Sequence, residues 1–166
     1  PYAVNGRMLT AMRYWKKILE KIKRDNMAGS VGSGYSGTAL EKKLGIKEGF
    51  KIRLIHAPEN YFDLFTEWPQ NIEISENVRV KKNFIHLFTK EFSEYYTLLP
   101  LLKKEIEQNG MIWVSWPKKT SGISSDVNEH LIRDYALETG LVDIKVCSVN
   151  EVWSALKLVI PLKHRK

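Results

Sequence analysis

The chain has 166 residues, of which 43% are hydrophobic and 27% charged, the balance of a single soluble globular domain. No stretch approaches the ~20 continuous apolar residues of a membrane span, and the lone Cys147 excludes an intramolecular disulfide or a multi-cysteine metal site. The net charge of +7 sits at the ends: residues 1–26 carry +5, Lys163-His164-Arg165-Lys166 add +3, and residues 27–162 sum to −1, which argues against a nucleic-acid footprint across the fold.

Residues 8–24 read as a basic amphipathic helix. Met8, Met12, Trp15, Leu19 and Ile22 form one stripe, widened by Ile18, while Arg13, Lys16, Lys17, Lys21 and Arg24 take the other face. Residues 1–26 are therefore expected to be a helical extension. It would dock on the domain or a second copy, lie on a membrane surface, or fit a partner's groove. Residues 27–37 are a Gly/Ser linker, residues 38–162 one α/β domain, and 163–166 a basic tail. The linker glycines lack a preceding strand and a Gly-Lys-Ser/Thr ending, so they make no phosphate loop.

Thr38-Ala39-Leu40-Glu41 has capping-box spacing and Gly45 can close the short helix that follows. Lys51–His56 reads as the first core strand, ended by Ala57-Pro58, with a short helix around Tyr61–Phe65. Val78-Arg79-Val80 is expected as the second strand and Phe84–Phe88 as a central third. Residues 91–109 read as helix, kinked at Pro100 and stopped by Gly110. Residues 111–116 form the fourth strand and 126–139 an amphipathic helix packing Val127, Leu131, Ile132, Tyr135 and Ala136. Val142–Val149 and Trp153–Ile160 close the fold. Their connection is too short for a parallel crossover, so they pair antiparallel. The fold class expected is α/β, a Rossmann-like three-layer sandwich with a mostly parallel sheet ending in an antiparallel hairpin, strand order 2-1-3-4-6-5.

Two resemblances follow. The closing strand, helix and hairpin after Gly110–Trp116 resemble the C-terminal half of class I, SAM-dependent methyltransferase folds. Those carry a Gly-x-Gly-type turn after their first strand, whereas this chain has His56-Ala57-Pro58-Glu59-Asn60. On that departure no cofactor is expected, and SAM is disfavoured. Read together, Tyr35-Ser36-Gly37-Thr38, Leu44-Gly45-Ile46, His86-Leu87-Phe88, the Trp113–Lys119 block Trp-Val-Ser-Trp-Pro-Lys-Lys, Val146-Cys147 and Glu151-Val152-Trp153-Ser154 resemble a small bacterial family of unassigned activity. That resemblance spans residues 34–160. It implies a bacterial, cytoplasmic, Rossmann-like protein and supplies no catalytic residue.

In open α/β sheets ligands gather beyond the carboxyl ends of the strands, where strand order reverses. That rule nominates His56 and Glu59 after the first strand, Thr89 and Lys90 after the third, and Lys118, Lys119, Thr120 and Ser121 after the fourth. Ser125, with Ser124 and Asp126, would open the next helix, whose free amides favour an anion, unless Ser125 or Asp126 caps it. Trp113 is expected in the core; Trp116 beside the lysines is the candidate apolar wall of a ligand site. Ser115 and Lys118 have Ser-x-x-Lys spacing, but Pro117 breaks the turn that would bring them together. No histidine pair has zinc-ligand spacing, and Cys147 reads as a small apolar filler.

These features favour a non-catalytic module binding an anionic small molecule or a protein partner at the loop after the fourth strand. The alternatives are a divergent methyltransferase-like or other transferase enzyme, with a lysine stabilising developing negative charge, and an assembly protein recruited through residues 8–24. No metal is expected.

Overall fold

The computed structural model describes residues 37–166; the expected helix of residues 8–24 and the linker up to residue 36 lie outside the described residues. Helix α1 (Leu40–Leu44) begins after Ala39 with no side-chain cap, so the Thr38–Glu41 capping box does not form. Its other end behaves as expected: Gly45 takes φ 75° and ends the helix.

Six strands form one sheet in the order β2-β1-β3-β4-β6-β5. They are β1 (Lys51–Ile55), β2 (Glu73–Ile74), β3 (Lys82–Phe88), β4 (Ile106–Pro117), β5 (Val142–Ser148) and β6 (Trp153–Val159). β2, β1, β3 and β4 pair parallel, while β6 runs antiparallel to both β4 and β5. The expected order and closing hairpin are what the structure has. Asn150 makes the hairpin turn by accepting both Val152 N and Trp153 N on its side-chain oxygen. Helices α2 (Phe92–Glu105) and α3 (Glu129–Glu138) complete the fold.

Period-2 alternation gives the sheet two cores. Ile52, Phe84, Phe88, Trp113 and Ala155 face α1 and the aromatic turn at Tyr61–Leu64. Ile85, Leu87, Ile112, Val114, Leu156 and Leu158 face α2 and α3. Trp113 is fully buried and donates its indole N–H to Leu44 O at 2.9 Å, tying α1 to the middle of the sheet.

Two elements depart from expectation. Residues 78–80 form a turn and the second strand is Glu73–Ile74. Asn77 folds the chain back, its side chain accepting Arg79 N and its carbonyl accepting Val80 N. The Lys82 ammonium then clamps that turn by donating to Asn77 O and Val80 O. Likewise α2 ends at Glu105 rather than at residue 109, and the chain passes straight into β4. Gly110 is not a helix stop but the close-approach point of the β3–β4 register shift. A Cβ there would lie 2.9 Å from Lys82 O and 3.0 Å from Glu107 O. At residues 78–80 side-chain hydrogen bonds override strand alternation, and at Gly110 pairing between strands overrides a helix-stop signal.

Where these segments meet, Arg53 donates to both carboxylate oxygens of Glu105 at 2.6 and 2.7 Å, and the buried Lys82 ammonium stands 3.8 Å from the same carboxylate. Burial lowers the Lys82 pKa, and Glu105 acts against that shift. Removing the shared anion would leave two cations in a poorly hydrated place, at a cost of about 3 kcal/mol. Glu105→Ala should therefore shift the urea unfolding midpoint down by that equivalent, far more than loss of an exposed glutamate such as Glu138.

Candidate functional site

Because β1, β3, β4 and β5 run the same way, their carboxyl ends share one rim, carrying His56, Thr89-Lys90, Lys118 and Ser148. The switch point lies between β1 and β3, since β1 continues to β2 on one side and the chain then crosses to β3 on the other.

His56 is the first residue past β1, and its backbone adopts φ 53°. Left-handed geometry is uncommon for a residue with a Cβ, though histidine enters it more readily than most. The chain thus turns sharply at the switch point without a glycine. The imidazole is 65% exposed, and its Nδ1 lies 2.8 Å from Glu94 Oε1 in the first turn of α2. That oxygen is shielded from solvent and receives no aligned hydrogen bond. Glu59 is exposed in the loop after β1, and Glu76 lies half-buried just beyond β2.

The lysine loop occupies the same rim as His56, with β3 between their strands, about 10 Å away at the usual strand spacing. Lys118 is half-buried: its backbone N–H donates to Val152 O at 2.7 Å and its ammonium donates to Ser148 Oγ at 2.6 Å. Lys119 and Thr120 are exposed, and the Ser121 hydroxyl donates to Lys118 O at 2.6 Å, closing a short turn. Trp116 is 9% exposed and packs in the core beneath α2 and α3, so it forms inner wall rather than rim.

Ser125 and Asp126 do not begin or cap the following helix. Asn128 caps α3, accepting Leu131 N at 3.0 Å. The Ser125 hydroxyl donates to Lys90 O, and Asp126 accepts Phe92 N at 2.7 Å, so Asp126 caps α2 from a distant part of the chain. The loop before α3 crosses the start of α2, and its polar side chains satisfy that helix first. Leu131, expected to pack inward, is 38% exposed.

Beneath the rim lies a feature that motif reading missed. His86 is fully buried between Tyr61, whose hydroxyl is 3.1 Å from Nδ1, and Ser115, whose hydroxyl is 2.7 Å from Nε2. One ring nitrogen donates and the other accepts, as a neutral imidazole requires. Phe88 stacks on the ring at 4.2 Å. The signal available was alternation: residues 84, 86 and 88 share a face, so a histidine between two phenylalanines had to be buried and paired. Ser115 therefore serves His86, and Lys118 serves Ser148; the Ser-x-x-Lys pair does not assemble. Cys147 is half-buried, and burial raises its pKa despite nearby Lys145. Among the described residues no group of three His, Cys, Asp or Glu stands close enough to hold a metal ion, and no helix is long and apolar enough to cross a membrane.

No family model and no curated protein matches this chain. Its solved structural neighbours include SAM-dependent methyltransferases. A SAM-dependent methyltransferase from Aquifex aeolicus superposes with a TM-score of 0.54 at 13% identity, over 72% of this chain and 87% of that one. A ribosomal-protein methylase from Lactobacillus delbrueckii gives 0.50 at 9% identity, over 73% of this chain and 74% of that one. A precorrin methyltransferase from Geobacter metallireducens gives 0.50 at 6% identity, over 74% of this chain and 86% of that one. Against LepI, solved with SAM, this chain spans 50% of the partner's length. The fold is therefore Rossmann-like and methyltransferase-like. These neighbours overturn the expectation of no cofactor and the case against SAM. That case rested on Ala57 and Pro58 standing where free backbone amides are wanted, and it took no account of side chains as the means of recognition.

Burial pushes the His86 pKa down to about 3 from an ordinary 6.5. The unfolded chain then binds a proton that the folded one refuses, so stability is complete above pH 6.5 and falls as pH drops toward 3. Over that window the loss from this one group is on the order of 4 kcal/mol. Urea denaturation at stepped pH should show that decline, with a visibly shallower slope in His86→Gln.

Proposed function

We propose that the chain binds S-adenosylmethionine in the crevice between the carboxyl ends of β1 and β3, and that it is a methyltransferase-like enzyme. The observation that carries this reading is the strand order with its one reversed strand, in a fold whose solved neighbours include SAM-dependent methyltransferases. A non-catalytic anion-binding module is the weaker reading, because it leaves that likeness without a purpose.

The residues at the crevice fit such a ligand chemically. S-adenosylmethionine is cationic at its sulfonium and ammonium groups and offers a ribose diol. The rim around β1 to β3 supplies carboxylates from Glu59, Glu76 and Glu94. Glu94 Oε1 is shielded and lacks an aligned donor, which an ammonium would provide. Glu76 follows the β1 turn by about 20 residues, at the end of the second strand, where nucleotide-binding α/β folds bring an acidic group to ribose hydroxyls. The turn itself offers few free amides. Pro58 has none, and the N–H groups of Tyr61 and Asp63 already donate to Pro58 O and Asn60 O. Recognition then rests on side chains rather than on a backbone cradle.

When bound, the sulfonium supplies an activated methyl group. His56, exposed at the mouth, is the imidazole available to take the proton that an acceptor releases. Lys118 and Lys119 give the rim beyond β3 the opposite charge, suited to an acceptor bearing carboxylate or phosphate. The two charges divide the rim between a cationic cofactor and an anionic acceptor.

Differential scanning fluorimetry with S-adenosylmethionine and S-adenosylhomocysteine tests this directly. At a concentration of about 100 Kd the expected stabilisation is about 2.7 kcal/mol, or roughly 5–10 °C for a chain of this size. Glu94→Ala and Glu76→Ala should shrink the shift while folding normally. If millimolar concentrations of both compounds leave the melting curve and a calorimetric titration flat, the reading is wrong.

A further inference from the structure

The opposite rim of the sheet holds a cavity of about 500 Å³ that plays no part in the site above. It lies where β3 begins, α2 ends and β4 starts, with the last residues of the sequence closing one side. Lys81, Lys103, Lys104, His164 and Lys166 line it, over a floor that includes Pro100, Ile106 and Ile160. No acidic side chain lines it. Glu105, which lies between two lining residues in sequence, is committed to Arg53 and Lys82.

Two of these cations are built into place. The Lys103 ammonium donates to Thr139 O at 2.8 Å, in space that exists because residue 140 is glycine. A Cβ on Gly140, which has φ 81°, would come within 2.8 Å of that nitrogen. The Lys81 ammonium donates to Lys104 O at 2.5 Å. An ammonium has three donors, so each lysine is held by one carbonyl and keeps two donors uncommitted.

We propose that this cavity is a binding site for a compact oligophosphate anion, such as the di- or triphosphate portion of a nucleotide or free polyphosphate. Like-charged ammonium groups gathered in one concavity repel one another until an anion joins them. Four lysines with a histidine match the charge of a triphosphate, whereas a single phosphate would leave most of them unneutralised. The volume falls within the range of small-molecule sites. The site is independent of the cofactor crevice at the other end of the strands.

Isothermal titration of the full chain with inorganic tripolyphosphate and with inorganic phosphate tests the proposal. Tripolyphosphate should bind at least tenfold more tightly than phosphate. The Lys104→Ala/Lys166→Ala variant, whose ammonium groups hold no part of the described fold, should lose at least tenfold in tripolyphosphate affinity with an unchanged melting curve. Lys42→Ala/Lys47→Ala removes the same charge from exposed positions outside the cavity and should bind as the parent does. Equal affinity for the two anions, or a loss in the Lys42/Lys47 variant instead, would overturn the assignment. So would tighter binding of a single-stranded nucleic acid oligomer than of tripolyphosphate. Once binding is seen, ATP in place of tripolyphosphate distinguishes a nucleotide from free polyphosphate as the source.

Discussion

Both faces of β3 and β4 are sealed, and every polar group these strands carry inside must find its partner there. Ile85, Leu87, Ile112 and Val114 meet the demand by being apolar, packed under α2 and α3. On the other face the strands bring in His86, Ser115 and the Trp113 indole, and each is answered. The polar chain Tyr61–His86–Ser115 fixes the aromatic turn after β1 to the sheet centre, and Trp113 does the same for α1 through Leu44. An unpaired buried donor costs far more than a paired one returns. The pairs therefore specify where those two segments must lie.

Charge is sorted along the sheet axis. At the carboxyl ends, carboxylates gather near β1 to β3 and lysines near β4. At the amino ends, the charged side chains lining the cavity beside α2 are all basic, while the nearby Glu105 is consumed inside an Arg53–Lys82 network. Residues 27–162 sum to only −1, yet their lysines and carboxylates stand at different places on the sheet. The net value of +7 conveys none of this.

The strand order and closing hairpin were legible because they rest on local rules: alternation, a short connection, and helices between strands. The rim residues were legible as a set because parallel strands put their ends together. His56 and the Lys118–Ser121 loop do share a rim. Other parts were not legible. The second strand was read at Val78–Val80, yet Asn77 and the buried Lys82 turn that segment and leave pairing with β1 to Glu73–Ile74. Gly110 was read as a helix stop and is a contact between strands. SAM was disfavoured because Ala57 and Pro58 stand where free backbone amides are wanted, a local argument that took no account of the fold as a whole.

The sequence alone determined the class of fold and its strand order, since these follow from periodicities of two and 3.6 residues and from connection length. Tertiary structure decided which polar side chains work together: Asp126 capping α2 rather than α3, Glu94 beside His56, His86 between Tyr61 and Ser115, Lys103 over Gly140. Those partners lie from 25 to 38 residues apart in sequence. Hydrogen bonds and charge depend on distances of a few ångströms that only the packed chain defines.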